Sequence, residues 1–141
     1  LELDPAEMEK RNIHLQKNYA EIEENEVRFE ELHCEDAEYL IVAFGSCARI
    51  AQKAMEMARE EGIKVGLLRP ITLWPFPSKA IAARAAQVKG ILTVELNAGQ
   101  MVEDVRLAVE CKVPVEHFGR LGGIVPDPDE VITALKEKLI K

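Results

Sequence analysis

The sequence predicts an α/β fold with a mostly parallel sheet and helices on both of its faces. Three observations support this prediction. Apolar runs of strand length, such as residues 38–45 and 63–70, show no polar alternation, as in strands that are covered on both faces. Segments with apolar residues at helical spacing follow these runs. The connections between them are short, as in a chain that alternates strand and helix.

The first 25 residues are predicted to form a helical extension, and residues 26–141 a single compact domain. Asp4 is suited to the N-cap of a helix and Pro5 to its first position. Apolar residues then recur at helical spacing until the pattern ends near Asn25. Because the first residue is Leu, we expect the chain to be a piece of a longer protein.

The next elements are predicted in the order strand, strand, helix. Val27 and Phe29 alternate with Arg28 and Glu30, which predicts a half-buried strand over residues 27–32. The apolar run 38–45 indicates a buried strand, and a helix is expected over residues 46–61, with Gly62 ending it.

The second half of the chain continues this alternation. A buried strand over 63–70 precedes an alanine-rich helix over 78–88, which Gly90 is expected to end. A further strand is predicted at 90–96 and a helix at 99–110.

A shorter strand over 113–119 and one more helix complete the predicted fold. That helix has the clearest start, because Asp127, Pro128 and Glu130 fit a capping box with proline at the first position.

Charge and hydropathy exclude several classes of function. The net charge of −7 is uneven, since residues 1–38 hold 13 acids and 4 bases, and the remainder 12 acids and 14 bases. An acidic segment on a near-neutral body disfavours nucleic acid as a partner. No apolar run approaches the length of a membrane span, so we expect a cytoplasmic protein without a membrane partner.

The cysteines do not predict a metal site or a disulfide framework. Cys34, Cys47 and Cys111 lie far apart and form no CxxC pair, which indicates reduced thiols in a cytosolic protein. The three histidines are equally dispersed, so neither a zinc nor an iron–sulfur site is expected.

Candidate functional residues lie in the four loops that follow the predicted parallel strands. Such loops leave a sheet at its carboxyl edge, where the ligands of open α/β folds bind. The loops cover residues 45–49, 69–77, 95–100 and 119–126. Their polar residues are Arg49, Arg69, Arg120, Glu95, Asn97 and Gln100. Since arginine suits carboxylates and phosphates, this rim is predicted to be an interface or an anion site.

The loop "GSCAR" (45–49) allows two interpretations. Ser46 can cap the following helix by accepting a backbone hydrogen bond, or the helix N-terminus can hold an anion; the cap is favoured. Cys47 lies where a nucleophile could lie, yet the loop is not G-x-S-x-G and no base has suitable spacing. We therefore expect a structural thiol.

Neither "GRLGG" (119–123) nor Glu95 predicts a catalytic centre. The glycine loop departs from G-x-G-x-x-G and follows a late strand, so a turn or an interface loop is favoured over a phosphate site. Glu95 has no second carboxylate or histidine beside it in the sequence, and we expect it to pair with one of the rim arginines. No catalytic, cofactor-binding or metal-binding residue is assigned.

The loop "RPITLWPFP" (69–77) is stiff and apolar, with three prolines and the only tryptophan of the chain. Rigidity lowers the entropic cost of docking, so Trp74 and Phe76 are predicted to be anchors of an interface with another domain. The alternative is that Trp74 folds over the helix of its own domain.

Four motifs resemble the C-terminal domain of the α subunit of 2-oxoacid:ferredoxin oxidoreductases. In chain order they are "GSCAR" (45–49), "GIKVGLLRPITLWPFP" (62–77), "VELNAGQMVEDVR" (94–106) and "GRLGGIVPDPDE" (119–130). The likeness runs from about residue 26 to the end, and the 2-ketoisovalerate enzyme is favoured over the 2-oxoglutarate and pyruvate enzymes. It implies a transketolase C-terminal-like, three-layer α/β/α fold. The implied sheet has five strands in the order 1-3-2-4-5, the first antiparallel, with residues 45–49 and 95–100 flanking the crevice.

The resemblance also implies a parent enzyme that converts a 2-oxo acid and coenzyme A to acyl-CoA and carbon dioxide. That enzyme would use thiamine diphosphate, magnesium and iron–sulfur clusters, and would reduce ferredoxin. Because these sites are expected in other domains and subunits, this segment is predicted to be a non-catalytic structural and interface domain, inactive alone and without a cofactor of its own. The alternatives are a small anion- or coenzyme A-binding module and, with the least support, an independent enzyme using Cys47 or Glu95.

Overall fold

A five-stranded sheet forms the middle layer of the structure, a computed structural model that describes residues 4–140. The strands are β1 (Phe29–Leu32), β2 (Tyr39–Ala43), β3 (Val65–Pro70), β4 (Gly90–Glu95) and β5 (Val115–Gly119). Their order is β1-β3-β2-β4-β5. β1 is antiparallel to β3, and the other neighbouring pairs are parallel. The predicted strand order and orientations are therefore confirmed.

Helices alternate with these strands along the chain. In the described part they are α1 (Pro5–Asn25), α2 (Gly45–Glu60), α3 (Ser78–Ala85), α4 (Met101–Val109) and α5 (Pro128–Leu135). A π-helical turn over Lys136–Ile140 continues α5. Each predicted helix is present, and α3 is three residues shorter than its sequence pattern indicates.

Two apolar clusters hold the three layers together. One cluster joins the sheet to α2 and α5, through residues such as Ile41, Met55 and Leu135. The other joins the opposite face to α3 and α4, through residues such as Leu40 and Ile81. Consecutive strand residues point to opposite faces, so both must be apolar when both faces are covered. This explains the unbroken apolar runs in the sequence.

Local signals determine where two of the helices begin. The side chain of Asp4 accepts a hydrogen bond from the backbone N–H of Ala6 at 2.9 Å. At α5, Asp127 and Glu130 form the predicted capping box, with the side chain of each accepting from the backbone N–H of the other.

Two predicted helix boundaries are wrong. Ser46 does not cap α2, because the helix already begins at Gly45 and the preceding residue, Phe44, makes no side-chain cap. Gly90 does not end α3 either. The helix ends at Ala85, and Gly90 is the first residue of β4, where its backbone passes close to the side chain of Leu139.

Helix α1 lies outside both apolar clusters, and none of its residues is buried. The ring of Tyr19 contacts Trp74 edge-on, with ring centroids 5.7 Å apart and an interplanar angle of 86°. Among the described residues, no helix combines the length and apolarity required to span a membrane.

Candidate functional site

The carboxyl ends of four parallel strands meet at one edge of the sheet, as the sequence predicts. β3 follows β2 in the chain and lies on one side of it, whereas β4 comes later and lies on its other side. The chain thus adds strands first on one side of β2 and then on the other, and the loops after β2 and β4 leave the sheet to opposite faces. These two loops flank the resulting crevice. This places Gly45 and Glu95 at the entrance to the crevice.

Glu95 is buried, with 1% of its surface exposed, at the end of β4. Its Oε1 accepts a hydrogen bond from the backbone N–H of Met101 at 2.8 Å, and its Oε2 from that of Val102 at 3.1 Å. The N–H of Gln100 lies 3.2 Å from Oε1. These are N–H groups that a helix start leaves without intrahelical partners. Glu95 therefore caps α4, and the expected pairing with a rim arginine is wrong.

His117 on β5 completes the environment of this carboxylate. Its Nδ1 lies 3.3 Å from Oε2 of Glu95 and 3.2 Å from Oγ1 of Thr93, and its Nε2 lies 3.2 Å from the carbonyl oxygen of Asn97. Sequence reasoning missed His117 because it judged spacing along the chain. The register of β4 and β5 pairs Thr93 with His117, and no local pattern in the sequence specifies that register. With both oxygens already accepting, Glu95 is poorly suited to serve as a general base.

The three rim arginines do not converge on one anion site. Nη1 of Arg69 lies 3.1 Å from Oε2 of Glu30 on β1, and Nη1 of Arg120 lies 2.6 Å from Oε1 of Glu130 on α5. Arg49 is exposed on α2 and forms no ion pair or side-chain hydrogen bond with any described residue. Two of the three guanidinium groups are thus already engaged within the chain.

Asn97 and Gln100 shape the loop between β4 and α4. The side-chain oxygen of Asn97 accepts a hydrogen bond from the N–H of Gly99 at 2.8 Å, and Gly99 has a φ of +116°. The loop packs on the end of β5 so closely that a Cβ at Gly119 would lie 2.1 Å from the carbonyl oxygen of Asn97. The side chain of Gln100 is exposed at the rim.

Large apolar side chains are exposed on three of the four loops at this edge. They form what we call the edge surface: Ile71, Leu73, Trp74, Leu96, Leu121, Ile124 and Val125. Trp74 is 55% exposed and contacts Tyr19 of α1. Phe76, the second predicted anchor, is half-buried against the cluster beneath α3 and α4. Phe76 therefore offers less exposed surface to a partner than Trp74 does.

Cys47 is buried in the first turn of α2. Burial raises the pKa of its thiol, and the negative charge of Glu95 adds to this effect. A catalytic cysteine requires the opposite shift, so the site is consistent with the expected structural thiol. Residues 4–140 contain no group of three or more His, Cys, Asp or Glu side chains that could hold a metal ion.

Comparison with known proteins identifies related chains. Residues 37–131 match the family described as pyruvate:ferredoxin oxidoreductase core domain II. The ketoisovalerate oxidoreductase subunit VorB of Methanothermobacter thermautotrophicus is 48% identical over 96% of this chain, which spans 38% of that relative. The 2-oxoglutarate synthase subunit KorA of Methanothermobacter marburgensis is 33% identical over 72% of this chain and 27% of its own length.

Solved structures with the same fold include 2-oxoglutarate:ferredoxin oxidoreductase from Magnetococcus marinus, with a TM-score of 0.83 and 25% identity. The alignment covers 96% of this chain and 24% of that one. A split-gene transketolase aligns with a TM-score of 0.68 and 21% identity. The alignment covers 80% of this chain and 41% of the transketolase chain, and it confirms the transketolase-like fold. The chain belongs to the pyruvate:ferredoxin oxidoreductase core domain II family, and its relatives VorB and KorA are subunits of 2-oxoacid oxidoreductases.

Proposed function

We propose that this chain is a non-catalytic interface domain of a 2-oxoacid:ferredoxin oxidoreductase that acts on 2-ketoisovalerate. The substrate assignment is supported by the identity of 48% with the ketoisovalerate subunit, against 33% with the 2-oxoglutarate subunit. The chain spans only 38% of the ketoisovalerate relative, so the remaining machinery would be supplied by other segments and subunits.

The edge surface is the observation that carries the interface role. Its seven apolar side chains are between 45% and 59% exposed, and all belong to loops at the edge where α/β folds meet their ligands. Exposed apolar patches mark interaction sites, and an exposed tryptophan on a proline-rich loop is a typical anchor. Docking of another domain on this surface would remove these side chains from water.

The polar groups of the same edge support a role without chemistry. Glu95 caps α4, and Arg69 and Arg120 pair within the chain. Every buried side-chain nitrogen and oxygen of the described residues has a hydrogen-bond partner, so none is left for a cofactor to satisfy. These residues do not fit thiamine diphosphate with magnesium, or an iron–sulfur cluster, which we place in other domains of the parent complex. Coenzyme A and ferredoxin would likewise be reached through that complex.

The proposal is tested in the complete enzyme with Trp74→Ala and Ile124→Ser. Both should weaken the association of this domain with its partners, measured by sedimentation velocity, while the thermal midpoint of the isolated chain changes little. Leu107→Ser is the matched control, because Leu107 is 76% exposed but lies on α4 and not in the edge loops. Wild-type association of both edge variants would refute the interface role.

A coenzyme A-binding module is the second candidate, and unpaired Arg49 is the observation that favours it. A ligand that binds only the folded chain raises its thermal midpoint by mass action. We expect no such rise with coenzyme A, and none with thiamine diphosphate and magnesium. A rise with coenzyme A that Arg49→Ala abolishes would favour the binding module instead.

A further inference from the structure

An aromatic groove lies between the end of α1, the segment entering β1 and the start of α3. Its volume is about 660 Å³, within the range of roughly 300–1,000 Å³ that is typical of ligand pockets. Its apolar lining consists of Val27, Phe29, Trp74, Pro75, Phe76, Pro77 and Ala80. Trp74 and Phe29 are exposed, so their rings are accessible from this groove.

The wall of the groove formed by α1 carries two carboxylates, Glu23 and Glu24. Neither forms an ion pair or hydrogen bond with any residue between 4 and 140. Both lie in the last turn of α1, which contains no basic residue. The C-terminus of a helix carries a partial negative charge and favours cations, so two acids here add to an unfavourable potential. A cation supplied from outside the chain would relieve it.

We propose that this groove binds an arginine side chain of a partner polypeptide in the assembled oxidoreductase. This inference rests on the proposed interface function and names the chemistry of one of its contacts. The flat face of a guanidinium group stacks on aromatic rings such as that of Trp74. Its N–H groups form paired hydrogen bonds with carboxylates such as Glu23 and Glu24. One arginine would therefore satisfy both features of the groove.

Charge complementarity selects this occupant over an apolar segment. A purely apolar segment would cover Glu23 and Glu24 without compensating their charge, which is unfavourable. A lysine would compensate the charge, but its compact ammonium group lacks the planar face that stacks on Trp74. Lys79, on the wall formed by α3, also repels cations and so directs the guanidinium group towards α1.

The test uses the fluorescence of Trp74, the only tryptophan in the chain. The 141-residue chain is titrated with acetyl-Leu-Arg-Leu-amide, and binding is checked by calorimetry. The matched control is the same peptide with citrulline, which has a similar shape and no charge. We expect saturable binding of the arginine peptide, at least tenfold weaker binding of the citrulline peptide, and intermediate binding of a lysine peptide. High salt should weaken the arginine complex.

Variants of α1 test the role of the two carboxylates. The double variant E23Q/E24Q should lower the affinity for the arginine peptide at least tenfold. Glu21→Gln is the matched control, since Glu21 is exposed on the same helix and does not line the groove. Circular dichroism checks that both variants keep the helix content of the wild type.

The inference is overturned if neither readout shows saturation, if citrulline binds as tightly as arginine, or if E23Q/E24Q binds like the wild type. None of these results affects the association measured for Ile124→Ser by sedimentation velocity, because Ile124 does not line the groove. Failure of the groove proposal can therefore be distinguished from failure of the proposed interface function.

Discussion

The carboxylate of Glu95 lies 3.3 Å from Nδ1 of His117, and the two side chains stand on neighbouring parallel strands. The same carboxylate accepts hydrogen bonds from the first N–H groups of α4. The pair therefore joins β4, β5 and the start of α4 at the carboxyl edge. This arrangement keeps the loop between β4 and α4 in one position without using a ligand.

Glu95→Gln should lower the free energy of unfolding by about 2–3 kcal/mol, because hydrogen bonds to a buried charged group are lost and an amide N–H then faces other donors. The measurement is urea unfolding followed by circular dichroism. Glu103→Gln is the control, since Glu103 is exposed in the first turn of the same helix. A Glu95→Gln variant as stable as the control would show that the cap contributes little.

Local features of the fold could be predicted from the sequence, and the strand order from the family resemblance, but side-chain contacts between distant segments could not. The capping box of Asp127 and Glu130 is a signal within four residues, and it is confirmed. The contact of Glu95 with His117 depends on the register of β4 and β5, which no local pattern specifies. For the same reason, the pairing of Arg69 with Glu30 depends on the register of β1 against β3, which the predicted strand order does not give.

The sequence predicted the rigidity of the loop after β3 but not the orientation of its aromatic rings. Trp74 and Phe76 are two positions apart, and both are predicted to be anchors of an interface. The structure exposes Trp74 and half-buries Phe76 against the core beneath α3. Burial depends on how the loop meets the helices, which hydropathy alone does not determine.

Gly119→Ala should be strongly destabilising, by about 3 kcal/mol or more, since the added methyl group would overlap the backbone of the loop after β4. Its Cβ would lie 2.1 Å from the carbonyl oxygen of Asn97. Gly90→Ala is the matched control on a neighbouring strand, because its Cβ would meet only the flexible side chain of Leu139. We expect a loss of about 1 kcal/mol there. Equal unfolding midpoints for the two variants would contradict the close approach at Gly119.

Stability in acid should depend on the ion pair between Glu31 and Arg84. Two guanidinium nitrogens of Arg84 donate to the carboxylate at 2.8 and 2.7 Å. This hydrogen bonding lowers the pKa of Glu31, and the partial burial of the carboxyl group opposes the shift. A carboxyl group with a lowered folded-state pKa stabilises the fold above its unfolded pKa. That contribution is lost as the pH falls through the folded pKa.

Glu31→Gln should therefore reduce the dependence of the unfolding free energy on pH below the ordinary pKa of a glutamate, about 4.3. The dependence should not vanish, because ion pairs also lower the pKa of Asp36 and Glu38. Urea unfolding at several pH values measures it. Glu30→Gln is the control, since Glu30 forms an exposed pair that contributes little. An unchanged slope in Glu31→Gln would contradict the assigned role.

The three cysteines should differ sharply in their reactivity towards iodoacetamide. Burial raises the pKa of Cys34 to about 11, aided by the charge of Glu31, and burial also raises the pKa of Cys47. Cys111 is exposed. Because the thiolate is the reacting form, we expect native protein at pH 8 to be alkylated at Cys111 alone.

Mass spectrometry of the alkylated protein checks this expectation, with urea-unfolded protein as the control in which all three thiols should react. Cys111→Ser should then leave the native chain almost unlabelled within the same time. Alkylation of Cys47 at neutral pH as fast as that of Cys111 would indicate an activated thiol. Such a result would favour a catalytic role for Cys47 over the proposed non-catalytic domain. A buried, protonated structural thiol cannot react at that rate, because the thiolate is the reacting form.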